Sequence, residues 1–251
     1  MRLGFEGMCP NGIEDFADIA AQMKDLGLGA ICLDAAKMDE RWTLDYCYAF
    51  GEKARELGVM IGEIGYWDNI LTPNEEIHEA RFDRLCYLMK CADAMQAKTV
   101  VALVGTKDTS DHTFAPHPYM VTQACRDETQ DYVLRLLDQT NPQNTTFSLE
   151  AWNNTFYYQF EEIARFFERI DHPAYGIHLD AMNLFSQFNY WDSTRVIGEV
   201  IDYFGEHIVS CHLKDIYWDY HEMFLFLKEV MIGDGVLDYN MYLRKLAGLK
   251  H

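Results

Sequence analysis

Seven short apolar runs, each followed by a segment of helical periodicity, constrain this chain more than any other feature. They are RLGF (2–5), AICLD (30–34), VMIGEIG (59–65), TVVALVG (99–105), TTFSLE (145–150), YGIHLD (175–180) and HIVSCHLK (207–214). Runs this short and this rich in Val and Ile read as buried strands. A strand that is regained through a helix must run parallel to the one before it, because the crossover carries the chain back to the starting edge. The alternation therefore predicts one α/β domain over residues 1–251 with a parallel sheet, and no Pro/Gly/Ser-rich linker interrupts it.

The helical segments carry their own punctuation. Over residues 74–95, Ile77, Leu85, Leu88, Met89, Ala92 and Met95 fall on one face. Thr72-Pro73-Asn74-Glu75 reads as a capping box with Pro73 at the first helical position, and Asn11 with Glu14 offers a similar start to the first helix. Gly27 and Gly58 stand where helix hands over to strand. A last helix is expected at about 239–248.

The choice is between an open doubly wound sheet and a barrel. Neither GxGxxG nor GxxxxGK[ST] follows a strand, which removes the usual nucleotide signatures of the open sheet. Unit spacing and length fit a (β/α)8 TIM barrel. Seven strands are visible, so the eighth is expected beyond residue 251.

Composition narrows the partners. With 40 acidic and 21 basic residues the formal net charge is −19, which repels phosphate backbones and anionic lipid and argues against nucleic acid and membrane surfaces. The seven cysteines show no paired spacing, and Cys32, Cys86, Cys91 and Cys211 sit inside apolar runs; a reducing, cytoplasmic setting is expected. No apolar run approaches the ~20 residues of a membrane span, and MRLGFEG is too mixed for a signal peptide.

The strand ends carry the chemistry. Side chains two apart share a face, so Ser148 with Glu150, His178 with Asp180, and Ser210 with His212 and Lys214 point the same way. Three consecutive strands thus present Glu150, Asp180 and His212 at their C-terminal ends, where parallel barrels build their sites. Glu6, Asp34 and Glu63 end earlier strands. Carboxylates so close repel unless a cation joins them. Two carboxylate oxygens and an imidazole suit one divalent metal ion, Mn²⁺ first, with Mg²⁺, Co²⁺ or Zn²⁺ as alternatives.

The whole chain resembles the xylose isomerase-like TIM-barrel superfamily, in particular its sugar phosphate isomerase/epimerase group. The markers are DNILTPNEE (68–76), KTVVALVG (98–105), FSLEAWN (147–153), GIHLDAMN (176–183), VSCHLKD (209–215) and IGDGVLDY (232–239). The resemblance implies a metal held by Glu150, Asp180 and His212, with a fourth Glu on the eighth strand. Asn183 stands where several members have His. It also implies proton abstraction next to a carbonyl of a ketose or related polyol, through an enediolate. Glu150 and Lys214 would be the catalytic groups, Lys214 lending positive charge. Glu6, Glu63, Trp67, His117, Trp152 and Asn183 are expected to meet a small sugar substrate. Two other readings remain: a metal-dependent dehydratase or lyase using His112 or His117 as general acid, and a non-catalytic sugar-binding subunit. A DNA-repair endonuclease is disfavoured by the charge. A homo-oligomer is compatible with all of these.

Overall fold

The computed structural model describes residues 1–8, 10 and 12–249; Asn11, proposed above as a helix start, lies outside them. Seven parallel strands alternate with helices. They are β1 (Gly4–Met8), β2 (Ala30–Asp34), β3 (Met60–Tyr66), β4 (Thr99–Leu103), β5 (Thr146–Glu150), β6 (Ile177–Asp180) and β7 (Ile208–His212). The helices are α1 (Ile13–Asp25), α2 (Leu44–Glu56), α3 (Glu75–Met95), α4 (Gln123–Thr140), α5 (Phe160–Ile170), α6 (Ser193–Phe204) and α7 (Tyr239–Gly248). Strands β1 to β5 pair in sequence order, β6 pairs with β7, and a bridge between Phe147 and Tyr175 joins the two groups. This is the architecture of a (β/α)8 barrel, opened at one seam. Among the described residues no strand lies between β7 and β1, and a cavity of about 690 Å³ runs there, lined by Leu3, Phe5, Glu6, Glu63, Val209 and Cys211 among others.

An unforeseen element follows β7. Strands β8 (Asp215–Trp218) and β9 (Leu227–Val230) form an antiparallel hairpin. It grows from the C-terminal end of the barrel, so it extends the rim on which the strand-end side chains stand. Among the described residues no helix is long and apolar enough to cross a membrane, and no disulfide joins two described cysteines.

Two details differ from the sequence reading. Asn74, and not Thr72, caps α3: its side chain accepts from the Ile77 amide at 3.1 Å, and Pro73 lies outside the helix. The short Asn side chain reaches back to an unpaired first-turn N–H, and so competes successfully for the cap. Ile77, in that first turn, is 37 % exposed, while Leu85, Leu88, Met89, Ala92 and Met95 are buried as the periodicity requires. Gly58 closes α2 with φ +74°, the left-handed geometry that a Cβ disfavours.

The rim is braced beside β4. Asn69 is fully buried; its amide donates to Thr106 O and Asp111 Oδ1, and its carbonyl accepts from Leu71 N and Thr106 N. Arg81 clamps Asp111 with two hydrogen bonds of 2.8 and 2.7 Å. Gly105 makes room for this brace: its φ is +85° and an added Cβ would lie 2.1 Å from Asn69 Oδ1. Gly105→Ala is expected to destabilise the protein by at least about 2 kcal/mol, from backbone strain and displaced Asn69 bonds. Denaturant unfolding measures this, and a loss below about 0.5 kcal/mol, the size of a neutral surface change, would refute it.

Candidate metal centre

The register of the strands builds the site. Asp180 and His212 are direct neighbours at the ends of β6 and β7, and Glu150 closes β5. All three are buried. His212 Nδ1 is 3.9 Å from Glu150 Oε2 and 3.9 Å from Asp180 Oδ2, and it has no hydrogen-bond partner among the described residues. Such separations are too long for direct hydrogen bonds. They suit ligand atoms each about 2.0–2.2 Å from a shared ion. An orphaned imidazole nitrogen facing two buried carboxylates is the donor set a divalent cation needs, and the three residues form a group able to hold one.

The electrostatics agree with the geometry. Burial pushes the Glu150 carboxyl up to about 7; the charge of His178 opposes this, and that of Asp180 adds to it. Burial alone would lower His212, yet the hydrogen bond to Glu63 and the charges of Glu63, Glu150 and Glu6 carry it up to about 9. The cluster therefore favours positive charge at its centre. Lys214 supplies some of it, with Nζ 2.8 Å from Asp180 Oδ2 as an ion pair. Burial works against the Lys214 ammonium, but the charge and hydrogen bond of Asp180 together with the charges of Glu150 and Glu229 outweigh it, so its pKa is raised.

One layer deeper the barrel interior stays polar, where a packed barrel normally carries Val, Ile or Leu. His178 Nδ1 lies 2.7 Å from Ser210 Oγ and 3.3 Å from Glu63 Oε2. Glu63 Oε1 lies 2.8 Å from His212 Nε2 and accepts from Cys32 Sγ at 2.9 Å. Burial would raise the Glu63 carboxyl, but the charges and hydrogen bonds of His178 and His212 outweigh it and hold it well below the usual range. This corrects the placement of Glu63 at a strand end. Strand β3 runs on to Tyr66, so Glu63 sits beneath the rim, 3 % exposed and engaged by two imidazoles.

A model of the xylose isomerase-like TIM barrel family matches residues 20–250. The chain belongs to that family. No curated protein matches it in sequence. Among solved structures, the xylose isomerase-like chain is similar to an L-ribulose 3-epimerase at 13 % identity and TM-score 0.71, covering 98 % of this chain and 77 % of that one. It is similar to the probable 3-DHS dehydratase AsbF of Bacillus anthracis at 16 % identity and TM-score 0.71, covering 100 % and 90 %. It is also similar to a xylose isomerase-like protein of Mycobacterium smegmatis in complex with magnesium, at 18 % identity and TM-score 0.63, covering 98 % and 86 %. At these identities the likeness establishes the shared fold.

The remaining residues of this xylose isomerase-like barrel fall into two groups. Close to the centre, Asn183 is buried and donates from Nδ2 to Glu150 Oε1 at 2.9 Å, so it holds the ligand carboxylate. Glu6 stands half-exposed at the seam with Oε1 3.8 Å from His212 Nε2. Trp67 leans over Gly65 towards His212, ring centroids 6.1 Å apart. Farther out, Trp152 packs against Phe114 with the rings tilted and their centroids 4.4 Å apart. His117 is turned inward on its own loop: its Nδ1 accepts from the Tyr119 amide at 3.2 Å, closing a short turn. His112 packs its ring on Phe114. Phe114 itself was not singled out from sequence; it sits in the DHTFAPH loop between the two histidines that were.

Proposed function

We propose that the protein is a divalent-metal-dependent sugar isomerase or epimerase that removes a proton from the carbon next to a carbonyl. The observation that carries this is the convergence of His212 Nδ1, Glu150 Oε2 and Asp180 Oδ2 at 3.9 Å separations in the barrel mouth. Glu150, Asp180 and His212 would hold the ion, with Mn²⁺ favoured by mixed oxygen and nitrogen ligation. A divalent ion there would act as a Lewis acid towards a substrate carbonyl and its neighbouring hydroxyl. Glu150 takes the proton, its basicity raised by burial. Asn183 fixes the other Glu150 oxygen, so that Oε2 keeps its direction. Lys214, 2.8 Å from Asp180, adds positive charge on the side where the enediolate oxygens develop. Trp67 offers an apolar face beside His212 on which a sugar ring or chain can lie.

A single carboxylate can return the proton to the adjacent carbon on the same face, which is isomerisation. Inversion at one carbon requires a second group on the opposite face. A second reading, a dehydratase or lyase, is favoured by one specific observation: the fold matches the probable dehydratase AsbF as well as it matches the L-ribulose 3-epimerase.

The test is proton exchange in D₂O followed by NMR, with a panel of ketoses, aldoses and β-hydroxy ketones, and with Mn²⁺, Mg²⁺, Co²⁺ or Zn²⁺ added. Exchange of the proton next to the carbonyl, dependent on metal and stopped by chelator, is expected. Isomer formation supports the first reading and loss of water the second. Absence of both exchange and metal binding would overturn the proposal.

A further inference from the structure

We infer that Glu63 is a positioning residue for the metal: by accepting the Nε2 proton of His212 it leaves Nδ1 as the bare nitrogen that faces Glu150 and Asp180. The inference rests on the metal-dependent reading above. A neutral imidazole has one N–H and one bare nitrogen, and only the bare one can ligate. Which nitrogen is bare follows from the partner of the other. Here the two nitrogens are sharply distinguished. His212 Nε2 has Glu63 Oε1 at 2.8 Å, a hydrogen-bond length, while Nδ1 is buried without a hydrogen-bond partner.

Glu63 is itself fixed. Its second oxygen lies 3.3 Å from His178 Nδ1, and Nδ1 of that ring is 2.7 Å from Ser210 Oγ. Cys32 Sγ donates to Oε1 at 2.9 Å. Glu63 is thus anchored from three strands, β2, β6 and β7, and cannot turn without breaking buried contacts. The same residues, Glu63, His178 and His212, also lie close enough together to be considered as an ion site of their own. The contacts decide against that: Glu63 Oε1 and His212 Nε2 already share a 2.8 Å hydrogen bond and His178 Nδ1 is engaged by Ser210 at 2.7 Å, whereas the 3.9 Å separations above them match no direct bond. His178 Nε2 has no hydrogen-bond partner among the described residues, and it faces the upper layer, 4.0 Å from Glu150 Oε2. The lower layer is a hydrogen-bonded support, and the upper layer holds the ion.

The role can be separated from mere structure. Glu63→Gln keeps an acceptor oxygen for His212 Nε2–H; Glu63→Leu fills similar space and removes it. With Zn²⁺ as the probe and a competing chelator, Glu63→Leu is expected to weaken binding about 10–100-fold, and Glu63→Gln to recover most of the loss. Long-range ¹H–¹⁵N spectra of the Zn²⁺-loaded wild-type protein are expected to show His212 protonated on Nε2 and bound through Nδ1. Coordination through Nε2, or Zn²⁺ affinity in folded Glu63→Leu equal to wild type, would overturn the inference. If Glu63→Leu does not fold, the wild-type spectrum still decides. A wild-type protein that binds no divalent metal would overturn the metal reading and this inference with it, an outcome distinct from either of the others.

Discussion

Glu150→Gln is expected to abolish proton exchange next to the substrate carbonyl, by at least the factor of about 10²–10⁴ that general acid–base catalysis contributes. Glu150 combines three properties that no neighbouring group has together. It is buried, and burial raises its carboxyl above the usual carboxylate range, which makes it the stronger base. Its Oε2 faces His212 Nδ1 across the 3.9 Å interval that an ion would span. Its Oε1 is held by Asn183. Gln preserves volume and one acceptor oxygen but cannot take a proton. It also meets a conflict: Asn183 Nδ2–H needs an acceptor, so the Gln carbonyl turns to it and the amide NH₂ turns to the ion. Metal affinity should therefore fall as well, and exchange must be compared at saturating metal with occupancy measured. Near wild-type exchange at full occupancy would leave Glu150 a ligand only, and the base would have to be another group.

The elements that sequence revealed best are those whose signal is local. Strands β2 and β4 are written as nearly uninterrupted apolar runs, and the structure places them within a residue or two of those runs. The common face of Glu150, Asp180 and His212 follows from period-two alternation within single strands. Height in the barrel is another matter, because it depends on how far each strand runs and how neighbours are staggered. Nothing in VMIGEIG says that the strand continues to Tyr66, which puts Glu63 a layer below the rim. Similarly, RLGF was read two residues early; β1 is an edge with Phe5 half exposed, so burial did not sharpen its pattern. Asn183 was legible as a polar residue just past a strand end, and Asn69 was not singled out. Their partners, Thr106, Asp111 and Glu150, are brought to them by tertiary packing. The hairpin β8–β9 was missed because its strands are short, half exposed and rich in charge, and they lack a two-residue Asn-Gly or Asp-Gly turn.

The last residue of VSCHLKD yields the largest expected effect on stability. Asp215 is 0 % exposed and forms no ion pair among the described residues; it holds four backbone amides. Oδ1 accepts from Ile216 N at 2.9 Å and Leu237 N at 3.1 Å; Oδ2 accepts from Gly233 N at 2.9 Å and Gly235 N at 3.1 Å. The carboxylate thereby organises the segment IGDGVLDY, which returns the chain from the hairpin to α7. Four N–H groups aimed at one carboxylate need both of its oxygens as acceptors. Asp215→Asn offers two lone pairs on one oxygen and points an NH₂ at two N–H donors, whichever way the amide is set. Asp215→Ala leaves all four donors unmatched. Each bond to a charged acceptor contributes about 1.5–3 kcal/mol, without simple additivity, so a loss on the order of 4 kcal/mol is expected for either variant. In a chain of this length that corresponds to a fall in Tm of about 10 °C. The near-equality of Asn and Ala is the discriminating feature, since a residue kept for size alone would be rescued by Asn. Thermal melting, with amide exchange at Gly233, Gly235 and Leu237, measures both parts. Asp215→Asn within about 1 kcal/mol of wild type, the size of an ordinary single hydrogen bond, would show that the segment is held by something else. The consequence reaches the metal centre through one residue. The Tyr239 hydroxyl donates to Lys214 O at 2.7 Å, and Lys214 pairs with Asp180. When the segment loosens, Lys214 loses its backbone anchor, so both Asp215 variants should also weaken metal binding, although Asp215 touches none of the proposed ligands.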